Sequence, residues 1–189
     1  MKKIDQLKQK IKEKTEQINV LKNKMMDELR VEFHGSLVEL FDEYPFVTAV
    51  HFTAYTPFFN DGSECTFSSH HDDCGFNGFD SYDADKSSRV SDAFGDIEGE
   101  NIYENSRETI YVEEPNPDYD STKSYYGNYK TKSVKKPNPN FNALHKKAVE
   151  DFRSALNAVD DENWEELVGD HCIVMIDRKG IHVEEYEHD

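Results

Sequence analysis

The stretch Cys172-Ile173-Val174-Met175-Ile176-Asp177-Arg178-Lys179-Gly180-Ile181-His182-Val183-Glu184-Glu185-Tyr186 decides the fold. Cys172 to Ile176 is an unbroken apolar run, Asp177 to Gly180 supplies a turn, and Ile181 to Tyr186 returns with alternating character, which spells a β-hairpin. A second hairpin is predicted at residues 47–69. Val47 to Thr56 is β-branched and aromatic, with Val50, Phe52 and Ala54 on one face and Ala49, His51, Thr53 and Tyr55 on the other. Pro57 closes that strand, Asn60-Asp61-Gly62 tolerates positive φ, and Cys65-Thr66-Phe67-Ser68 resumes an extended pattern.

Helices are expected before each hairpin. From Lys3 to Tyr44 there is no Pro and one Gly, Gly35, among good helix formers, and Tyr44-Pro45 stops the run. Unbroken, it would extend about 63 Å, longer than a domain of this size is wide, so part of it must protrude. Ile4, Leu7, Ile11, Ile18, Leu21 and Met25 fall on a heptad seam interrupted by Lys14, which predicts self-association, as a dimer, through residues 1–25. Leu29, Phe33, Leu37, Leu40, Phe41 and Tyr44 then form a wider face suited to a sheet. Phe141, Leu144, Ala148, Phe152, Ala155, Leu156 and Val159 mark a second helix. Trp164, Leu167 and Val168 mark a third, capped by Asp160 or Asp161 and stopped by Gly169.

The expected architecture is α+β: a long N-terminal helix, partly coiled coil, and a four-stranded antiparallel sheet of two hairpins covered by helices. Residues 26–71 and 140–189 make one domain. Residues 72–139 form a long acidic insertion, with 15 acids against Lys86, Arg89 and Arg107 between 72 and 120, followed by four lysines from Lys130 to Lys136. Such a segment buries little and is expected to be partly mobile, although its aromatics, among them Phe76, Phe79 and Tyr103, point to some packing.

The 189 residues carry 22 basic and 39 acidic side chains, a formal charge of −17. No run approaches the roughly 18 to 20 apolar residues of a membrane span, and the basic N-terminus lacks the apolar core of an export signal, so a cytoplasmic protein is expected. Three Cys do not describe a disulfide scaffold. From residue 25 onward 14 basic residues face 36 acidic ones, a net −22 that disfavours direct binding to nucleic acid.

Three constellations can carry chemistry. Cys65, His70, His71 and Cys74 supply four zinc donors, although their spacing fits no common zinc finger and adjacent histidines on a strand point to opposite faces. On the last strand His182, Glu184, Tyr186 and His188 share one face and could hold a divalent ion. Around the first hairpin, Tyr55, Phe58 and Phe59 flank Asn60 and Asp61, offering stacking faces beside directional hydrogen bonds. No phosphate loop or nucleophile motif occurs, so no enzyme is expected and no cofactor is required, zinc being the one candidate.

The segments Tyr55-Thr56-Pro57-Phe58-Phe59-Asn60-Asp61-Gly62, followed by Cys65 and Phe67, and Gly169-Asp170-His171 through Val183-Glu184-Glu185-Tyr186-Glu187-His188-Asp189 resemble small uncharacterised proteins of tailed bacteriophages. The resemblance covers about residues 33–69 and 140–189. It implies an accessory product of host takeover or counter-defence, made in the bacterial host cytoplasm, and carries over no catalytic residue. The expected function is stoichiometric binding, with a nucleotide-like signalling molecule held by Tyr55, Phe58, Phe59, Asn60, Asp61 and Tyr186. The alternatives are an acidic inhibitor of a host or defence protein, including a DNA mimic, and a metal-dependent hydrolase.

Overall fold

The computed structural model describes residues 3–58, 62, 64–80, 87–120, 122 and 129–185. In chain order these form α1 (Lys3–Glu43), β1 (Ala49–Tyr55), β2 (Ser68–Ser69), a 3-10 turn (His70–Asp73), β3 (Gly75–Phe76), α2 (Ser88–Phe94) and α3 (Ile102–Ser106). They continue with β4 (Thr109–Pro115), β5 (Thr131–Pro137), α4 (Ala143–Leu156), α5 (Asp161–Val168), β6 (Cys172–Asp177) and β7 (Gly180–Glu185).

The two hairpins join into one antiparallel sheet, as expected, its strands running in the order β2-β1-β6-β7; β3, which was not expected, pairs with β1 and makes the sheet five-stranded instead of four-stranded. His51 stands opposite Met175 and Thr53 opposite Ile173 across the central pair. The first hairpin is thinner than expected. Only Ser68 and Ser69 pair with the end of β1, and the chain then leaves through the 3-10 turn and returns as β3, which pairs further along the same edge of β1.

One face of the sheet carries the core. Val50, Phe52, Ala54, Val174 and Ile176 pack beneath Phe33, Leu37 and Phe41 of α1, Phe152 and Leu156 of α4, and Trp164 and Leu167 of α5. Trp164 meets Phe33 and Phe52 edge-on, at ring separations of 5.2 and 5.0 Å. Asp160 caps α5, its side chain accepting from the Asn163 amide at 2.9 Å, and Gly169 ends it in the left-handed region at φ 85°. Arg178, in the turn between β6 and β7, donates to the Phe41 and Val47 carbonyls and so ties the second hairpin to the end of α1.

The acidic segment is built into this body at several points. Cys74, Phe76 and Ile102 belong to the same core cluster, and Val90 is buried. Asn77, fully buried with φ 56°, accepts from the Thr48 amide at 2.8 Å and hydroxyl at 2.9 Å. It donates to the carbonyls of Phe46 at 3.3 Å and Glu100 at 3.0 Å. β4 and β5 form a separate two-stranded ribbon in which Tyr111 faces Lys135 and Val112 faces Val134. Among the described residues the first half of α1 makes no core contact, which begins at Met26. Among the described residues no helix is long and apolar enough to cross a membrane.

Candidate functional site

The second face of the sheet, opposite the helical core, holds the candidate site. Strand alternation that sends Val50, Phe52 and Ala54 into the core sends His51, Thr53 and Tyr55 the other way, beside Ile173 of β6. The chain beyond β2 folds over this face and leaves a cleft of about 150 Å³. Its floor is His51, Thr53 and Ile173, one wall is Tyr55, His70 and Asp73, and the rim is Asp80, Ser87 and Arg89.

His51 is 4% exposed, and its Nε2 lies 3.2 Å from the Phe79 carbonyl, so the neutral ring donates from Nε2. Burial is the main cause that lowers its pKa to about 4, opposed in part by the Asp80 carboxylate and the Phe79 carbonyl. Gly75 makes this approach possible, because a Cβ there would overlap the His51 ring and the Phe79 carbonyl. At the rim Arg89 pairs with Asp80 at 2.7 Å, about half of the guanidinium side chain remaining open to solvent.

His51 carries a pH prediction. Its native pKa of about 4 lies below the ordinary 6.5, so between those values the unfolded chain binds a proton that the native chain does not. Its contribution is complete above pH 6.5 and is lost as pH falls toward about 4, amounting to about 3 kcal/mol. Urea unfolding at pH 7 and pH 4.5 measures this. His51→Gln is expected to flatten the difference, and an unchanged pH slope in that variant refutes the assignment.

Two ring stacks mark the end of β1. Tyr55 stacks on His70 at 4.4 Å and 29°, and Phe58 on His171 at 4.7 Å and 15°. Phe58 is 73% exposed. The loop is anchored by Asp170, which accepts from the amides of Thr56 at 2.7 Å and His171 at 2.8 Å. Burial opposes ionisation of Asp170, but these hydrogen bonds leave its pKa below the usual carboxylate value. Of the six predicted ligand-binding residues, Tyr55 lines the cleft and Phe58 stands at the adjoining loop; Phe59, Asn60, Asp61 and Tyr186 lie outside the described residues.

The candidate metal ligands separate. His70 stacks on Tyr55 at the cleft, whereas His71 sits on the helical side near Phe52 and Trp164. Cys74 is buried in the core, where desolvation pushes its thiol up to about 11, and Cys65 is half-buried. His182 faces the Asp177 carboxylate at 3.0 Å, and His188 lies outside the described residues. Among the described residues no group of three or more His, Cys, Asp and Glu is placed to hold a metal ion.

A Ser-His-Asp cluster that the sequence reading missed lies on the helical side. The Ser69 hydroxyl donates to Asp161 and lies 2.7 Å from His71 Nδ1, and His71 Nε2 is 2.6 Å from Asn157 Oδ1. The serine stands between acid and imidazole, whereas a nucleophile needs the imidazole between serine and acid. The cluster therefore ties β2 and the 3-10 turn to α4 and α5.

Asp80 and Arg89 were also missed, since only the return of the chain over the sheet brings them to His51. Alternation along β1 does place His51, Thr53 and Tyr55 together on the side away from the core. No protein-family model, no curated protein and no solved structure matches the chain.

Proposed function

We propose that this chain acts by stoichiometric binding, without turnover, and holds a nucleotide-like small molecule at the cleft beside Tyr55. The observation that carries the reading is the conjunction, around one cleft, of the Tyr55–His70 stack and the Asp80–Arg89 pair beside a neutral imidazole. A cleft of about 150 Å³ admits one ring, not a whole ligand of the size that fills pockets of about 300 to 1,000 Å³. The ring end therefore enters, where Asp73 and Asp80 accept from its edge N–H groups. The anionic end stays outside, against the solvent-open side of Arg89, where water screens it from the Asp80 carboxylate. In an infected bacterium, such sequestration would serve host takeover or counter-defence.

Thermal shift of the full chain against nucleosides and nucleotides tests this. The expected result is a saturable rise in Tm, with intact ligand released on heating, stabilisation reaching about 2.7 kcal/mol at a hundredfold excess over Kd. Tyr55→Ala and Arg89→Ala are each expected to weaken binding at least about tenfold. No shift at millimolar ligand, or recovery of a converted ligand, overturns the reading.

A second reading rests on charge. The 15 acids against three basic residues between 72 and 120 suit a surface that covers a basic patch on a host or defence protein. It predicts a specific co-purifying protein whose retention falls with salt. Retention indifferent to salt counts against it.

A further inference from the structure

The apolar seam on the first half of α1 has no partner among the described residues. Ile4, Leu7, Ile11, Ile18, Leu21 and Met25 are each 59 to 68% exposed. Two apolar positions in seven make a narrow stripe that fits another helix, not the wide face of a helix lying on lipid.

The flanks of the stripe determine what that helix can be. With Ile4 at position a, the flanking e and g positions hold Lys3, Lys8, Lys10, Lys22 and Lys24 together with Thr15 and Gln17, and no acid. The acids Asp5, Glu13 and Glu16 lie on the outer positions. In a parallel pair of copies, Lys3 of one would face Lys8 of the other, and Lys14 would meet its own counterpart inside the seam. An antiparallel pair sets g against g and e against e, and again opposes lysines. Self-association, the expectation from the seam alone, is therefore opposed by the charges that border it.

A second observation comes from within the chain. Where a helix does lie along this flank, it does so through acids: Lys22 pairs with Glu166 of α5, and Glu162 adds to the attraction. Beyond that contact Ile18, Leu21 and Met25 border a groove of about 390 Å³ whose far wall is Glu162 and Glu166, so at this end the acids of an incoming helix lie on the other border of the seam, at Lys24, in line with Lys10 and Lys3.

We propose that residues 3–25 are a docking helix for a different chain, whose helix carries an apolar heptad seam flanked by Asp and Glu. Apolar burial along the seam supplies affinity. The lysine flanks set the choice of partner, admitting acid-flanked helices and rejecting basic ones and second copies.

The experiment uses the full chain and two synthetic helical peptides of four heptads, with identical Ile at a and Leu at d, one with Glu at every e and g position and one with Lys. Fluorescence anisotropy is expected to show the Glu peptide binding at least about tenfold tighter, the preference shrinking as salt rises. The protein alone is expected to sediment as a monomer at micromolar concentration. Replacing Lys3, Lys8 and Lys10 together by Glu is expected to reverse the preference. Equal binding of the two peptides, binding of neither, a preference unmoved by the triple replacement, or a stable dimer of the full chain alone each overturns the proposal.

Discussion

Replacing Trp164 by alanine is expected to lower the free energy of unfolding by about 4 kcal/mol, a large share of the roughly 5 to 15 kcal/mol that holds a domain of ordinary stability. Trp164 is fully buried where the last third of α1, the sheet and α5 converge. It meets Phe33 and Phe52 edge-on and donates from Nε1 to the Leu156 carbonyl at 3.4 Å. Truncation removes the transfer free energy of the indole and leaves a cavity that three elements would have to close together. Because this is the only Trp in the chain, the comparison is made by far-UV circular dichroism in urea, not by indole emission. Trp164→Phe keeps much of the volume and the edge-on contacts, and is expected to lose about half as much. A loss below about 1 kcal/mol in the alanine variant would show that α5 and the end of α1 do not share the core of the sheet.

The second large effect is at Asn77. Asn77→Ala removes acceptors for the Thr48 amide and hydroxyl and donors to the Phe46 and Glu100 carbonyls, in a position with no exposed surface. The Thr48 hydroxyl retains the Glu98 carbonyl at 3.0 Å, so the cost comes mainly from the Thr48 amide and the two carbonyls. Alanine must also adopt the left-handed backbone that Asn tolerates at φ 56°. Together these are expected to cost about 4 kcal/mol. Asn77→Gly separates the two causes, because it relieves the backbone but not the lost hydrogen bonds, and is expected to recover about 1 kcal/mol of the loss. Gly99→Ala is expected to reproduce part of the effect, since a Cβ there would overlap the Asn77 side chain. Urea midpoints for the three variants measure the series. If Asn77→Ala costs less than about 1 kcal/mol, the acidic segment is not held to the start of β1 through this side chain.

These two positions differ in how readily the sequence discloses them. Trp164 lies on an apolar stripe with Leu167 behind the Asp160 cap, so its helix and its burial follow from local pattern. Asn77 lies in a polar stretch where Asn and Gly usually indicate a solvated turn; its role depends on Thr48 and Glu100, both far away along the chain. The same contrast applies to β5, whose strand spelling is hidden by Lys132, Lys135 and Lys136 because both faces of the ribbon tolerate long polar side chains. It applies to the cleft as well. Tyr55 and His51 are placed by alternation, whereas Asp80 and Arg89 reach them only because the chain after β3 returns across the sheet.

Sequence alone determined the long helix and its stop before Pro45, the two-faced strand from Ala49 to Tyr55, the capped helix around Trp164 and the closing hairpin, because each depends on neighbours within a few residues. It also carried the heptad seam and its lysine borders, which are matters of spacing. Tertiary structure alone decided which parts of the acidic segment enter the core, namely Cys74, Phe76 and Ile102. It alone brought His51 beside Asp80 and Arg89. Those outcomes depend on contacts between residues distant in the chain, where burial outweighs local propensity, and such contacts leave no periodic trace in the order of amino acids.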